Sequence, residues 1–432
     1  MTATIPTLPE AKAMTTPART VTTTAALAAA TGDPGVGRIV VDGHLAGAPA
    51  ITLAPGQSLC GADDGAGIAF APGVDGVRLT SDNAICDLRL DAAPERRAIF
   101  NDTGVANLGR IELRDVTTTG RVQILARDKV RRGHVDVHGL DIVAADARGE
   151  TERPHGFGVF VLQGAFTLWN LQPDPGVAIT ADLTGIAVGR DGAPVRGSGV
   201  FVGGAGDNAG RLNVRRLETE AVFSDGGIVP GTADQITGGV FTVSGAHVDL
   251  VRNRGPVITY GANDMALDNW GAVDRWTAED KVTTHGPSGI GFVNFGSVHE
   301  LRVQRPIETF GTGARGFNVY AGTLNLAEFD RIVTHADGAI GIQIGQPIGR
   351  LVVHRGIETF GATGQSLVKG VMTTLSAIAL SIKQGGAVRE LDVSGGIRTH
   401  GAAIAPIEQH GAVESLRIAG GCVALGGGFD TP

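Results

Sequence analysis

Five segments share one signature: PVITYG (256–261), KVTTHG (281–286), PIETFG (306–311), RIVTHA (331–336) and GIETFG (356–361). Their threonines, Thr259, Thr284, Thr309, Thr334 and Thr359, stand 25 residues apart. IRTHG with Thr399 follows after 40 residues and LETEA with Thr219 precedes by 40, so each outer gap reads as one period plus an insertion of 15. Two further runs recur within the period. One is GIGFVNF from Gly289, GAIGIQI from Gly338 and AIALSIK from Ala377. The other is GSVHELRV from Gly296, GQPIGRLVV from Gly345, GGAVRELDV from Gly385 and GAVESLRI from Gly411. A unit of three short strand-like runs parted by glycine-containing turns is too short for a propeller blade or an ankyrin-type pair. It suits one coil of a right-handed parallel β-helix, an all-β solenoid in which each strand stacks on its counterpart one coil away.

Composition agrees with frequent turning. The 432 residues include 66 glycines, about one in seven and roughly twice the usual share. Aromatic residues make up 5% and charged residues 19%, while 42% hydrophobic residues suffice for a large core. Turns that need positive φ take glycine, and a narrow interior takes Val, Ile, Leu, Ala and Thr. The expected organisation is a disordered tail over 1–20, followed by a single β-helix domain over 21–432. That domain divides into a capping helix at 21–35, less regular coils at 36–215 and regular coils at 216–425.

The net charge of −8 shows no basic stripe, which argues against nucleic acid and favours a neutral sugar over a polyuronate. No apolar run is long enough to span a membrane as a helix. Cys60, Cys86 and Cys422 form no evident disulfide framework, which points to a reducing, cytoplasmic setting. The absence of HExxH, paired cysteines and a Walker sequence predicts neither metal nor nucleotide cofactor.

The segment TAALAAATGDPGVGRIVVDGHLAGAPAITLAPGQSLCG (24–61) resembles the start of the pectin-lyase-like β-helix superfamily, where a short helix caps the open end. The residues that carry the resemblance are Ile51, Leu53, Pro55, Gly56, Leu59 and Gly61. It implies a fold and not a chemistry. Size and architecture are also similar in kind to the inulin fructotransferases, without any alignable site residue.

Successive side chains on a strand face opposite ways. Leu217, Val257, Val282, Ile307, Ile332, Ile357 and Ile397 therefore point inward, with the threonines two places on forming an internal ladder. The alternate positions point outward: Ile258, Glu308, Val333, Glu358 and Arg398, then Tyr260, His285, Phe310, His335, Phe360 and His400. Glu308 and Glu358, two coils apart, should lie about 9–10 Å from one another. Inverting glycosidases keep their carboxyl groups about 6.5–9.5 Å apart. The flanking rings would stack on sugar, or the whole face would be a solvated wall. Exposed Ile258, Val333 and the phenylalanines would equally serve an oligomer contact, such as a side-by-side homotrimer. A second column, Asn269, Asn294, Gln343, Gln384 and Gln409, reads as an internal amide ladder.

The repeat is most disturbed at Ile258–Trp276, which offers Tyr260, Asp264, Asp268, Asn269 and Trp270, with Trp276 as core. The first insertion offers Asp225 and Asp234, the second Lys369. Both are expected to rise on one side and wall a groove along the Tyr260–Phe360 surface. Trp169, Asn101, Asp102, Asp146, Arg148 and His155 are lesser candidates in the irregular third.

The leading expectation is a carbohydrate-active enzyme that cleaves or transfers a glycosidic bond with paired carboxylates. Glu308 and Glu358 lead, with Asp225, Asp264 and Asp268 as challengers, and Tyr260, Trp270, Phe310 and Phe360 bind the oligosaccharide. A lyase would instead use Tyr260, His335 or Lys369 as base and Arg398 as a carboxylate clamp. A glycan-binding or structural β-helix without catalysis is the alternative from another class.

Overall fold

The computed structural model describes residues 17–368 and 370–427. Among these are 42 strands and one helix. In the regular region each coil contributes three strands, as in Val257–Thr259, Asp264–Asn269 and Ala272–Ala278. Each pairs in parallel with the strand one coil further on: Val257 with Val282, Leu267 with Phe292, Trp276 with Leu301. The chain is thus a parallel β-helix with three faces, numbered here in the order of those strands. The first and third faces join into one 25-stranded sheet, because long early strands such as Arg211–Asp225 pair with members of both. The second face is a separate sheet.

The helix Thr24–Thr31 closes the N-terminal end. Thr23 caps it by accepting a hydrogen bond from the Ala26 amide (3.1 Å), and Leu27 and Ala30 are buried against the first coils. A strand, Ala18–Val21, precedes it and pairs with Arg38–Val41, so the coils begin inside the stretch expected to be tail. The rest of that tail, residues 1–16, lies outside the described residues.

One apolar core runs through the solenoid from Val21 to Ile397 and includes fully buried Trp276, whose indole N–H donates to Asn253 (2.9 Å). A second, smaller apolar cluster lies on the outer side of the second sheet and contains Trp169, Phe201, Phe241 and Trp270. The second sheet is therefore buried on both sides, which explains why Ile290–Asn294 and Arg315–Val319 are buried at every residue. Glycines bring its inner side close to the first face. A Cβ on Gly291, Gly316 or Gly341 would meet the Cγ2 of Ile307, Ile332 or Ile357 at 2.3, 2.3 and 2.6 Å.

Several expectations change with the register. Ser224, not Thr219, lies beneath Thr259, and Val222 beneath Val257, while Thr219 pairs with Asn253 on the third face. The first insertion is therefore 10 residues long (35 from Ser224 to Thr259, less one period of 25). The second keeps its 15, since Thr359 does pair with Thr399. The inward threonines do not bond to one another. Thr334 and Thr399 donate to the carbonyls of Ala339 (3.0 Å) and Ile404 (2.7 Å), whereas the hydroxyls of Thr259, Thr284 and Thr309 have no partner. The amide ladder shortens to Thr242, Asn269 and Asn294, linked at 2.7 and 2.8 Å. Val319 and Ile344 continue that column, and Gln343 belongs to the neighbouring outward one. Cys60 and Cys86 do form a disulfide: they stand opposite each other on adjacent strands, with Cα atoms 4.6 Å apart. The expected lack of a disulfide framework fails here, and with it the cysteine argument for a reducing compartment. No helix among the described residues is long and apolar enough to cross a membrane.

Gly316→Ala tests the glycine column. The added methyl must displace Ile332, and such overpacking costs about 1–3 kcal/mol. We expect a lower midpoint of chemical unfolding with an unchanged denaturant slope; a midpoint equal to wild type would show that the column tolerates a side chain.

Candidate functional site

The outward residues at the end of the first face form a continuous stack of rings. Tyr260, His285, Phe310, His335, Phe360 and His400 follow at centroid spacings of 5.1, 5.1, 4.5, 5.3 and 4.2 Å, with neighbouring planes within 15°. In-register coils put one ring per layer, so each inner ring covers the next. The faces needed for sugar stacking are occupied by one another, and edges are what Phe310 and Phe360 present to solvent. Burial holds the His285 imidazole below its ordinary pKa.

The stack also engages the two leading glutamates. Glu308 and Glu358 do share one column, two coils apart. Glu308 lies 2.7 Å from His335 Nε2, and Glu358 lies 2.7 Å from His400 Nε2 and pairs with Arg331. Burial opposes ionisation of Glu358, but His400 and Arg331 outweigh it and hold the carboxyl below the usual carboxylate range. Ile258 and Val333, in the same column, are buried and not open for an oligomer contact. Arg398 donates to the Gly395 carbonyl (2.9 Å).

Asp225 and Asp264 serve the corner where the first face turns into the second. Asp225 pairs with Arg196 and accepts from the Gly227 amide (2.7 Å). Asp264 is fully buried and accepts from the amides of Gly226 (3.1 Å) and Gly261 (2.7 Å) and from the Thr237 hydroxyl. Burial pushes its pKa up to about 6 against those hydrogen bonds.

Asp268 differs from all of these. It is completely buried, both carboxyl oxygens lack a hydrogen-bond partner, and burial raises its pKa well above the ordinary carboxyl range. The nearby Trp270 indole lowers that pKa in part, yet its N–H is outside hydrogen-bonding geometry and is itself unpartnered. Asn318, two coils along the same outward column, is buried with both amide atoms unpartnered. Buried polar groups are nearly always satisfied, so this concentration on one sheet face needs a cause.

A cavity of about 690 Å³ lies over that face, lined among others by Asp268, Trp270, Phe295, Arg315 and Tyr320. Arg315 replaces an apolar residue in the column Met265, Ile290, Arg315, Ile340. Its guanidinium is buried and donates to the Gly313 carbonyl (3.2 Å), the Ser366 hydroxyl (3.3 Å) and Gln343 (3.4 Å).

Both insertions wall this cavity and not the ring stack, contrary to the expected groove. The first contributes Ala233, Asp234, Gln235 and Ile236, and the second folds as a hairpin, Thr363–Val368 with Val371–Ser376. Leu367 and Gly370 of the hairpin line the cavity, and a Cβ on Gly370 would be 3.4 Å from the Ala233 carbonyl oxygen, so the insertions meet over the sheet. Each leaves at the corner before the second face, which is why it folds onto that face. Lys369 lies outside the described residues.

The other candidates have local roles. Trp169 is buried and donates to the Gly204 carbonyl (3.0 Å), Asn101 brackets Leu125 with two hydrogen bonds, and Asp102 holds the turn at Gly104. Asp146 and Arg148 pair beside buried Arg121. Arg315, Asn318, Tyr320, Phe157 and Phe295 were not singled out from sequence. Arg315 had a signal, a charged residue at an otherwise apolar position of a 25-residue column, whereas Asn318 shares its column with Asp268 and Gln343 and does not stand out. Comparison with protein-family models, with curated proteins and with solved structures finds no match for this chain.

Asp264 gives a pH prediction. A raised folded-state pKa means that the native state holds the proton longer than the unfolded chain. Its contribution is complete below the model-peptide value of 3.8 and is lost as pH rises to about 6, a change of roughly 3 kcal/mol. Between pH 4 and 6, wild type should lose stability relative to Asp264→Asn, measured by chemical unfolding at each pH. Parallel curves would refute the assignment.

Proposed function

We propose that this protein is a carbohydrate-active enzyme that cleaves or transfers a glycosidic bond in the cavity over the second sheet. The observation that carries this reading is Asp268: a buried carboxyl group without a hydrogen-bond partner, its pKa raised by burial, lining a cavity walled by Trp270, Phe295 and Tyr320. Aromatic walls with a few convergent polar groups suit an oligosaccharide. A carboxyl group with a raised pKa suits a general acid.

In this reading Asp268 gives its proton to the glycosidic oxygen as the C–O bond breaks. Asp234, exposed at the rim of the same cavity, takes a proton from the attacking water or sugar hydroxyl. Glu308 and Glu358 become members of the ring stack, tied to histidines. Elimination is the second reading, favoured by Arg315 and Tyr320 in one cavity, where an arginine would hold a uronate carboxylate and a tyrosine would act as base.

The test is a panel of oligosaccharides incubated with purified protein and read by mass. Hydrolysis adds the mass of one water in total; transfer and elimination add none, and elimination leaves an ultraviolet-absorbing double bond. On the substrate so found, Asp268→Asn should lower kcat by about 10²-fold or more. Glu308→Gln and Glu358→Gln should stay within about twofold. Full activity in Asp268→Asn, or its loss in the glutamate variants, would move the site to the ring stack. No product from any sugar would leave a binding protein.

A further inference from the structure

A second cavity of about 700 Å³ adjoins the first, and the two share Gly156, Phe157, Trp270 and Phe295 in their walls. What separates them is a strap, residues 153–160, laid across the outer side of the second sheet. At its crest the Phe157 ring packs edge-on against Trp270 (centroids 4.8 Å) and tilted on Phe295 (4.6 Å). The ring is itself 37% exposed, whereas Trp270 beneath it is 5% exposed.

The strap is anchored at its C-terminal end, where the Phe160 amide donates to the Asp234 carbonyl (2.7 Å). Within the strap the Arg153 guanidinium donates to the Gly158 carbonyl (2.7 Å). Phe157 sits between two glycines in positive φ, Gly156 at +133° and Gly158 at +75°. Such residues let a backbone swing at small steric cost.

We infer that Phe157 occupies a sugar subsite and is displaced by substrate, so that the two chambers become one cleft for an oligosaccharide too long for either. Three observations carry this. An aromatic ring between a tryptophan and a second ring is where a pyranose or furanose ring would stack. The Trp270 indole N–H, unpartnered near Asp268 in the wall the two chambers share, would meet a sugar hydroxyl. The second chamber is lined by polar groups suited to sugar hydroxyls, Asp207, Arg211, Asn213 and His247 among them. The inference rests on the carbohydrate reading and adds the length of the substrate and the residue that selects for it.

Phe157→Ala, with Phe157→Leu as an intermediate and Phe157→Trp as an enlarged plug, tests the inference on neutral oligosaccharides graded from disaccharide upward. With the alanine variant, KM should fall at least threefold for long chains and stay unchanged for the shortest, with leucine between and tryptophan raising KM for long chains. Without any ligand, acrylamide should quench tryptophan fluorescence more in Phe157→Ala, because Trp270 is uncovered. A long oligosaccharide should restore the protection. Equal weakening of short and long substrates would make Phe157 a fixed wall and overturn the inference while leaving the enzyme intact. Failure of every protein to bind any sugar would overturn both readings.

Discussion

Every coil of this protein must hydrogen-bond its backbone to the coil on either side, and that single constraint orders the rest. Parallel pairing at one-coil spacing sets residue upon like residue along three faces. A substitution at one layer is felt by the layers above and below. The glycine column shows this most sharply: Gly291, Gly316 and Gly341 have isoleucine methyls where a Cβ would be. The same stacking, turned outward, makes the ladder of six rings from Tyr260 to His400.

Stacking alone yields smooth faces, and a smooth face binds little. The second sheet acquires a cavity because three excursions from the helix, the strap at 153–160 and the two insertions, fold over its outer side. They take that side out of water, which makes polar groups there costly unless they are paired. Most buried polar groups in the chain are paired. Asp268, Trp270 and Asn318 are the group of exceptions gathered on that sheet's outer side. The unpaired hydroxyls of Ser224, Thr259, Thr284 and Thr309 form a separate set, stacked in one inward column of the first face.

The periodic part of the fold was legible in the sequence because a parallel coil repeats both its geometry and its residue preferences. The three strands per coil, the inward Val and Ile column and buried Trp276 follow from the 25-residue spacing. Register was less legible where the period breaks. Leu217 and Thr219 match the motif by type, yet Val222 and Ser224 occupy those layers, because the preceding strand runs unbroken through the corner. Cys60 and Cys86 are 26 residues apart, close to one period, and that spacing was the signal of their pairing.

Alternation within a strand also marked Glu308, Glu358 and the rings as outward, and they are. What alternation omits is whether an outward side chain meets solvent, a neighbouring layer or a covering segment. Asp268 and Glu308 both leave the core on the outer side, but one is buried in the wall of the covered cavity and the other sits beside a histidine at the surface. The sequence by itself determined the coil, its three strands and its inward column, since these arise from contacts between residues at a constant separation. Only the tertiary structure decided which face is covered, because the strap and the hairpin reach the second sheet through contacts between residues far apart in the chain, which no local period encodes.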